Sequence, residues 1–420
     1  MRNSGTIKNV NMIKPLKYLI CLFLLILKVN AIAQPLSICG TVTDENGHSV
    51  TGATVFITNS SHAAASGNSG GFCFADIPSG TYEIAVRMMG FEPYTQNVVV
   101  KTQSVILNIR LKQSNTFLKA VTINGKPDPN RDDYLRQFLK YFIGETINAK
   151  QCKLVNPQVL NFHYNRGTKV LKADADDFIV IENKGLGYYI NYLLKDFELD
   201  MNGHVCTIIG SPYFKEMAGT KEEQVKWAIN RRIAYLSSSR HFFRAVIDNT
   251  AKKEGYLIYQ PVYDSVTIAE VTKRSKPDIL RYYQQLPTGN IVRRYAIRIH
   301  NINSIFKDAG NGFKTLKPTN NIDGFFVLNT NEMQPPLFYR TGNPIDFPVI
   351  SLPKKIRNNM QVANIMPRWG DTVMIDRNYE WPARGFTYSG YWSWLKIADL
   401  TPLDYFVEPI LDDKITDDDQ

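Results

Sequence analysis

Short apolar segments separated by glycine-containing turns run through residues 38–111, and this pattern constrains the fold more than any other feature of the chain. Apolar and polar residues alternate within the segments, which is typical of β-strands with one buried face. Turn residues cluster between the segments, as at 44–47 and 67–71. Several short strands at this spacing predict a small β-sandwich.

The same region resembles a known domain family. The residues that carry the resemblance lie in its turns and strands: Gly40, Val42, Asp44, Gly47, Gly52, Ala53, Val55, Gly71, Phe72, Ile77, Pro78, Gly80, Tyr82, Met89, Gly90 and Phe91. In this order they resemble the carboxypeptidase regulatory-like domain, which is common in envelope proteins of Bacteroidota. The resemblance implies a transthyretin-like sandwich of seven strands that is a structural or interaction module and carries no catalysis.

Two cysteines, Cys39 and Cys73, lie on predicted strands of this region. If Ile38 and Val42 face the core, alternation along the strand turns Cys39 outward, and the same reasoning turns Cys73 outward. The transthyretin-like resemblance implies that the two strands are neighbours. A disulfide between Cys39 and Cys73 is therefore one expectation, and two free thiols are the alternative.

Residues 1–33 have the pattern of a secretory signal peptide. Lys14 and Lys17 precede the apolar run Tyr18–Leu27, and an A-x-A cleavage sequence follows at 31–33. The apolar run is about half of the roughly 20 residues that a membrane-spanning helix needs, so an uncleaved anchor is the less favoured alternative. Export places the chain in an environment that permits disulfides.

The net charge of +10 overstates how basic the folded protein is. Five basic residues and no acidic residue lie in residues 1–33, so the rest of the chain has a net charge of +5. A charge this small does not indicate binding to nucleic acid.

The predicted fold class is α+β, with an N-terminal seven-strand transthyretin-like β-sandwich followed by a mainly β domain that contains a helical pair. The expected parts of the chain are a signal peptide (1–33), the carboxypeptidase regulatory-like sandwich (34–112), an edge strand and linker (113–130), an α+β domain of unknown function (131–411) and an acidic tail (412–420).

Helices are predicted at three places in the larger part. The first carries one apolar stripe and ends at Gly144, and its stripe consists of Tyr134, Phe138, Tyr141 and Phe142. Thr220 and Glu223 fit a capping box at the start of the second helix. The apolar residues on one side of that helix are Val225, Ile229, Ile233 and Leu236. Three serines at 237–239 break it, and a third helix is predicted over 241–249.

The larger part has a looser resemblance of its own. The motifs that carry it include Asn148-Ala149-x-x-Cys152, Asn156-Pro157, Leu186-Gly187-Tyr188, Asn230-Arg231-Arg232 and Gly390-Tyr391-Trp392. They resemble a region that follows this β-domain in other Bacteroidota envelope proteins and has no assigned activity. The resemblance therefore implies family membership and no mechanism.

The sequence offers no motif for catalysis, metal binding or cofactor binding. None of the 6 histidines is followed by glutamate three residues later, so the His-x-x-Glu motif of zinc carboxypeptidases is absent. The glycine-rich segments lack the strand and helix context of a phosphate or dinucleotide site. We therefore expect no enzyme, no cofactor and no metal.

Two groups of residues are candidate binding surfaces. The aromatic stretch near the C-terminus is a candidate ligand surface and contains Trp381, Tyr388, Tyr391, Trp392 and Trp394. The basic group on the helical pair is a candidate anion or partner patch and contains Arg231, Arg232, Arg240 and Arg244. The alternatives are a core or interface position for the aromatic residues and a solvated helix face for the basic residues.

These observations favour a non-catalytic exported protein of the cell envelope, located in the periplasm or at the outer membrane or cell surface. Its expected role is that of an adaptor or binding module for an envelope protein or a surface glycan. The alternatives are a glycan-processing enzyme of unrecognised type, with a cleft formed by the aromatic stretch and carboxylates such as Glu380, and a small outer-membrane component.

Overall fold

The computed structural model describes residues 35–114, 128–202, 205–263, 269, 278–285, 290–310, 312–316, 324–341, 349–351, 360–367, 372–378, 380–381 and 385–407. The predicted signal peptide, most of the predicted linker and the acidic tail lie outside these residues.

The first seven strands form two sheets that enclose one apolar core. They are β1 (Ile38–Thr43), β2 (Thr54–Ile57), β3 (Ala63–Ala65), β4 (Gly71–Phe74), β5 (Gly80–Arg87), β6 (Tyr94–Val100) and β7 (Val105–Arg110). One sheet has the order β4-β1-β7 and the other has the order β3-β2-β5-β6. Both sheets supply side chains to the same buried cluster. The predicted seven-strand sandwich is confirmed.

The alternation of inward and outward residues sets the faces of the strands in this sandwich. Ile38 and Val42 of β1 are fully buried. Cys39 lies between them on the outer face and pairs with Cys73 in the antiparallel register of β1 and β4. The second cysteine is exposed, as the alternation predicts.

A helix and a six-stranded antiparallel sheet follow the sandwich. The elements are α1 (Arg131–Phe142), β8 (Cys152–Leu154), β9 (Leu160–Asn165), β10 (Val170–Ala175), β11 (Ile179–Asn183), β12 (Tyr188–Asp200) and β13 (Val205–Glu216). β12 is the centre of this sheet, since it pairs with β11 and β10 on one edge and with β13 along the other. Phe138 and Phe142 of α1 are fully buried in the core of this unit, so the predicted apolar stripe is confirmed.

Two consecutive helices connect this sheet to the rest of the chain. They are α2 (Lys221–Leu236) and α3 (Ser239–Ile247). The side chain of Ser238 accepts a hydrogen bond from the backbone N–H of His241, which caps α3. The predicted helical pair between two groups of strands is confirmed.

The last part of the chain is again mainly antiparallel sheet. Its strands are β14 (Tyr256–Val262), β15 (Ile279–Gln285), β16 (Ile291–Ile299), β17 (Lys307–Gly310), β18 (Phe313–Leu316), β19 (Phe325–Met333), β20 (Val349–Ser351), β21 (Met360–Pro367), β22 (Val373–Ile375), β23 (Glu380–Trp381) and β24 (Phe386–Gly390). Seven form a sheet in the order β20-β15-β16-β14-β19-β21-β24, and four form a sheet in the order β17-β18-β22-β23. The short helices α4 (Phe338–Thr341) and α5 (Tyr391–Trp394) accompany them.

Polar contacts join the sandwich to the six-stranded sheet. The carboxylate of Glu83 on β5 accepts hydrogen bonds from the hydroxyls of Ser211 (2.5 Å) and Thr58 (3.0 Å) and from the ammonium of Lys195 (3.3 Å). Phe56 of the sandwich packs its ring against that of Tyr213, with centroids 4.9 Å apart. The two units therefore have a defined mutual orientation.

Candidate functional site

A capping box starts the helix α2. The backbone N–H of Thr220 donates to the Glu223 carboxylate (2.8 Å), and the backbone N–H of Glu223 donates to the Thr220 hydroxyl (3.3 Å). Two backbone donors that the helix leaves unpaired at its N-terminus are thereby satisfied. The predicted capping box is confirmed and fixes where the helix begins.

Polar side chains hold the inner face of α2 against the loop that precedes β12. Trp227 donates from its indole N–H to the carbonyl of Lys184 (2.9 Å), and Asn230 donates to the carbonyl of Gly185 (2.7 Å). Arg231 donates to the carbonyl of Leu186 (2.7 Å). These bonds satisfy loop carbonyls that no strand partner pairs with, so the helix and the loop support each other.

Glycine makes room for the indole of Trp227 in this contact. Gly187 has a positive φ of 71°, and a Cβ built on it would lie 2.2 Å from the Trp227 ring. The next residue, Tyr188, places its ring 3.9 Å beneath the guanidinium of Arg231, which also pairs with Glu216 at 2.8 Å. The inner face of α2 is therefore closely fitted to its support.

The outer face of α2 is an exposed apolar stripe. Val225 is 61% exposed, Ile229 is 55% exposed and Ile233 is 52% exposed. An apolar stripe at this spacing ordinarily faces the core of a protein. Here the polar inner face makes the intramolecular contacts instead, and the stripe (Val225, Ile229 and Ile233) faces solvent.

The predicted basic patch is wrong for three of its four arginines. Arg244 is 5% exposed and donates to the carbonyls of Leu403 (2.6 Å) and Arg377 (2.9 Å). Arg240 donates to the carbonyl of Thr401, and burial lowers the pKa of its guanidinium to about 10. Arg231 binds the loop described above. These guanidinium groups serve main-chain carbonyls rather than an external anion, and Arg232 alone of the four stays on the outer side of α2.

The predicted aromatic ligand surface is also wrong for three of its five residues, because their side chains are buried. Tyr391, Trp392 and Trp394 are each at most 8% exposed and belong to one apolar core. The indole of Trp392 donates to the carbonyl of Ser237 (3.0 Å). Tyr388 is partly buried against the same core. Nothing is described of the side chains of Trp381 and Glu380. The alternative, a position in the core, therefore holds for Tyr391, Trp392 and Trp394, with Tyr388 packed against them.

The two cysteines of the sandwich meet on the outer face of the β1–β4 pair. The structure joins Cys39 and Cys73 in a disulfide with Cα atoms 3.9 Å apart. Cys152 and Cys206 are free thiols in the six-stranded sheet unit, and burial raises their pKa values to about 12 and about 11. Thiols with pKa values this high are unreactive at neutral pH.

Two open hollows meet at the β9–β10 hairpin. One has a volume of about 1010 Å³ on the outer face of the sheet, with His163, Lys172 and Glu198 among its lining residues. The other has a volume of about 400 Å³ and lies between the hairpin and α1. Tyr164 and Arg166 line both hollows. Lys172 and Glu198 form an ion pair of 3.0 Å in the larger hollow.

Neither a metal cluster nor a membrane-spanning helix occurs in the part of the chain that the structure describes. Among those residues no group of three or more histidine, cysteine, aspartate or glutamate side chains could hold a metal ion. No helix among them is both long enough and apolar enough to cross a membrane.

Comparison with known families agrees with the fold of the sandwich. Residues 37–112 match the carboxypeptidase regulatory-like domain. The matched residues cover all seven strands of the sandwich, so the predicted resemblance is confirmed for this domain. The catalytic chain of carboxypeptidase N from Rattus norvegicus is 35% identical over 83 residues, which are 20% of this chain and 18% of that protein. The chain thus matches less than a fifth of this curated relative.

Solved structures similar to this chain are distant from it. One is a complex of type II cohesin with X-dockerin from Acetivibrio cellulolyticus, with 21% identity over 29% of this chain and 83% of that chain and a TM-score of 0.18. Another is a DUF3823 family protein from Bacteroides ovatus, with 10% identity over 44% of this chain and 82% of that chain and a TM-score of 0.16. Similarity at these TM-scores carries no information about the function of the chain.

Proposed function

We propose that this protein is a non-catalytic adaptor of the cell envelope that binds a partner protein through the outer face of α2. The observation that carries the proposal is the exposed stripe of Val225, Ile229 and Ile233. Each of these side chains is a little over half exposed, so burying it fully in an interface is worth about 1–2 kcal/mol, and the three together can form the centre of a binding site.

The fixed inner face of α2 supports this role. A helix that is bound on one side by Trp227, Asn230 and Arg231 presents its other side with little freedom to lose. A preorganised surface binds more tightly, because less conformational entropy is lost on association. The sandwich, fixed to the six-stranded sheet through Glu83, supplies a second surface in a defined orientation, which is what an adaptor requires.

The envelope location and the non-catalytic role rest on the sequence. Residues 1–33 have the pattern of a secretory signal. The His-x-x-Glu motif of zinc carboxypeptidases is absent, and three of the aromatic residues expected to line a glycan-processing cleft, Tyr391, Trp392 and Trp394, lie in the core. An adaptor needs none of these catalytic features.

Affinity capture with matched variants tests the proposal. The mature wild-type chain, Ile229→Glu and Ile106→Glu are used as baits in gently solubilised envelopes of the organism that makes the protein. Ile106 on β7 is 78% exposed and lies on the sandwich, so it controls for the added charge. We expect a stoichiometric partner with the wild type and with Ile106→Glu but not with Ile229→Glu. Equal capture by all three baits contradicts the proposal.

A surface glycan is the second candidate ligand, and the β9–β10 hollows favour it. Tyr164 offers an aromatic ring and Arg166 a cation where the two hollows meet. Sugar rings stack on aromatic faces, and polar side chains bind their hydroxyls. A glycan array with the wild type and Tyr164→Ala tests this candidate: a signal that the variant loses supports a glycan, and no signal for either protein removes it.

A further inference from the structure

The outer face of α2 has basic residues on both sides of its apolar stripe. Positions three residues apart differ by about 60° around a helix axis, so Lys226 and Arg232 lie on opposite sides of Ile229. Lys221 lies on the same side as Arg232 and is exposed, as Lys226 is. The one carboxylate that α2 itself places on this face, that of Glu222, lies in the first turn of the helix, where the helix dipole already favours it.

Another exposed apolar side chain, that of Met333, belongs to the segment that is hydrogen-bonded to the C-terminal end of α2 through Gln361. The side-chain amide of Gln361 donates to the hydroxyl of Ser237, which caps the helix (2.8 Å), and to the carbonyl of Met333 (3.4 Å). Met333 is 68% exposed. Glu332 precedes Met333 in the chain and is partly buried, which raises the pKa of its carboxyl group. The positive charge of Arg232 acts in the opposite direction and lowers this pKa.

From this arrangement, and resting on the proposed function, we propose that the partner docks on α2 with an amphipathic helix whose apolar stripe has acidic residues on both sides. The apolar stripe from Val225 to Ile233 is about 12 Å long, so about three turns of a partner helix cover it. Carboxylates of the partner then face Lys226 on one side and Arg232 with Lys221 on the other.

The same charges argue against a second copy of this chain as the occupant. If two α2 helices pack antiparallel about Ile229, Lys226 of both copies lies on one flank of the interface and Arg232 of both copies lies on the other. If they pack parallel, both flanks of the interface are again basic. Like charges across an interface weaken association and act against the wrong partner. Charge complementarity therefore selects an acidic partner segment.

Two synthetic helical peptides test this inference. Both carry leucine at i, i+4 and i+8, and they differ only in having glutamate or lysine at the flanking positions. Their binding to the full chain is measured by fluorescence anisotropy at low and at high salt. We expect the acidic peptide to bind about tenfold more tightly at low salt, since two or three ion pairs at the rim contribute that much, and we expect salt to reduce the difference.

Charge reversal on the protein completes the test. The double variant Lys226→Glu, Arg232→Glu is expected to prefer the basic peptide, whereas the control Lys252→Glu, Lys253→Glu, which changes two exposed lysines elsewhere, keeps the wild-type preference. If both peptides bind with equal affinity and Ile229→Glu abolishes this binding, the acidic partner is ruled out and the proposed function still holds. Binding unaffected by Ile229→Glu overturns both.

Two further outcomes contradict the inference in favour of another occupant. A concentration-dependent dimer in sedimentation that Ile229→Glu dissociates identifies a second copy on this face. Tighter peptide binding after removal of residues 408–420 identifies the chain's own acidic tail as the segment that covers it. If the protein is a monomer and removal of the tail does not change its affinity for the peptides, a preference for the acidic peptide supports an external partner.

Discussion

The guanidinium of Arg244 on α3 donates a hydrogen bond of 2.6 Å to the main-chain carbonyl of Leu403. The backbone N–H of Leu403 in turn donates to the carbonyl of Asn59 in the sandwich (2.6 Å), and the Leu403 side chain packs in the sandwich core. Two successive hydrogen bonds therefore connect the helical pair to the N-terminal domain, although these elements lie far apart in sequence.

Replacing Arg244 tests how much this connection contributes to stability. Arg244→Lys keeps the charge, but a single ammonium cannot reach the carbonyls of both Leu403 and Arg377, which the planar guanidinium binds together. We expect the free energy of unfolding in urea to fall by about 1–3 kcal/mol, because buried carbonyls lose their donors. Arg232→Lys, on the outer side of α2, is the control and should change it little. Equal stability of both variants contradicts this role of Arg244.

Trp227 is expected to determine whether α2 stays in place. Trp227→Phe removes the hydrogen bond to Lys184 and should cost about 1 kcal/mol. Trp227→Ala also empties the space under Gly187 and should cost about 3–5 kcal/mol. Amide hydrogen exchange at α2 gives a local readout, in which we expect faster exchange in the alanine variant. Unchanged exchange would show that the helix does not depend on this contact.

A buried carboxyl predicts a specific dependence of stability on pH. Asp399 accepts from Thr146 (3.1 Å) and Asn148 (2.9 Å), and burial raises its pKa to about 6. In an unfolded chain an aspartate ionises near pH ~3.9, so folding takes up a proton between these values. The contribution of Asp399 to the free energy of unfolding therefore decreases as the pH rises from about 4 to about 6 and is constant above that.

Asp399→Asn removes this titration. We expect the free energy of unfolding of the variant, relative to the wild type, to increase by about 2 kcal/mol between pH 4 and pH 7. Thermal or urea unfolding across this range measures it. If wild type and variant keep the same difference at every pH, Asp399 does not titrate as its burial implies.

The state of the four cysteines that follow residue 33 is directly measurable. We expect alkylation under denaturing conditions without reductant to add two tags, at Cys152 and Cys206, since Cys39 and Cys73 are joined. Under native conditions both thiols should react slowly, because burial raises their pKa values. Intact-mass measurement counts the tags, and peptide mapping places them. Tags on Cys39 and Cys73 contradict the disulfide.

The sandwich could be predicted from sequence because strands such as β1, β4 and β7 alternate between inward and outward residues and its turns contain glycine. Ile38 and Val42 are buried on either side of an outward cysteine, as alternation requires. β21 has buried residues on both faces, so its sequence lacks the alternation between apolar and polar residues from which a strand is predicted. The alternation of apolar and polar residues identifies a strand with one solvent-exposed face far better than a strand in the middle of a wide sheet.

The candidate site was harder to predict, because its function depends on which face of α2 turns inward. The spacing of Val225, Ile229 and Ile233 defines a stripe but does not say what covers it. The hydrogen bond of Trp227 to the loop decides this, and it joins residues that are 43 positions apart. Gly187 and Gly219, where an added Cβ would lie 2.2 Å and 2.4 Å from the Trp227 ring, are the local signals of this close approach.

The two candidate binding surfaces were predicted from clusters of basic or aromatic residues in the sequence. The tertiary contacts of these residues show that most of them serve the fold instead. Arg244 and Arg240 satisfy carbonyls near the end of the described chain, which cannot be foreseen from a cluster of basic residues on a helix. Trp392 and Trp394 fill a core, which is the commoner fate of large aromatic side chains.

Site-specific photo-crosslinking in the living organism tests the central claim most directly. A photoreactive amino acid is introduced at position 229 or, as control, at position 106, which is more exposed to solvent but lies on the sandwich. We expect one defined protein adduct from position 229, suppressed when Ile233→Glu is added, and no such adduct from position 106. No adduct at position 229, or the same adducts from both positions, would contradict a partner on α2.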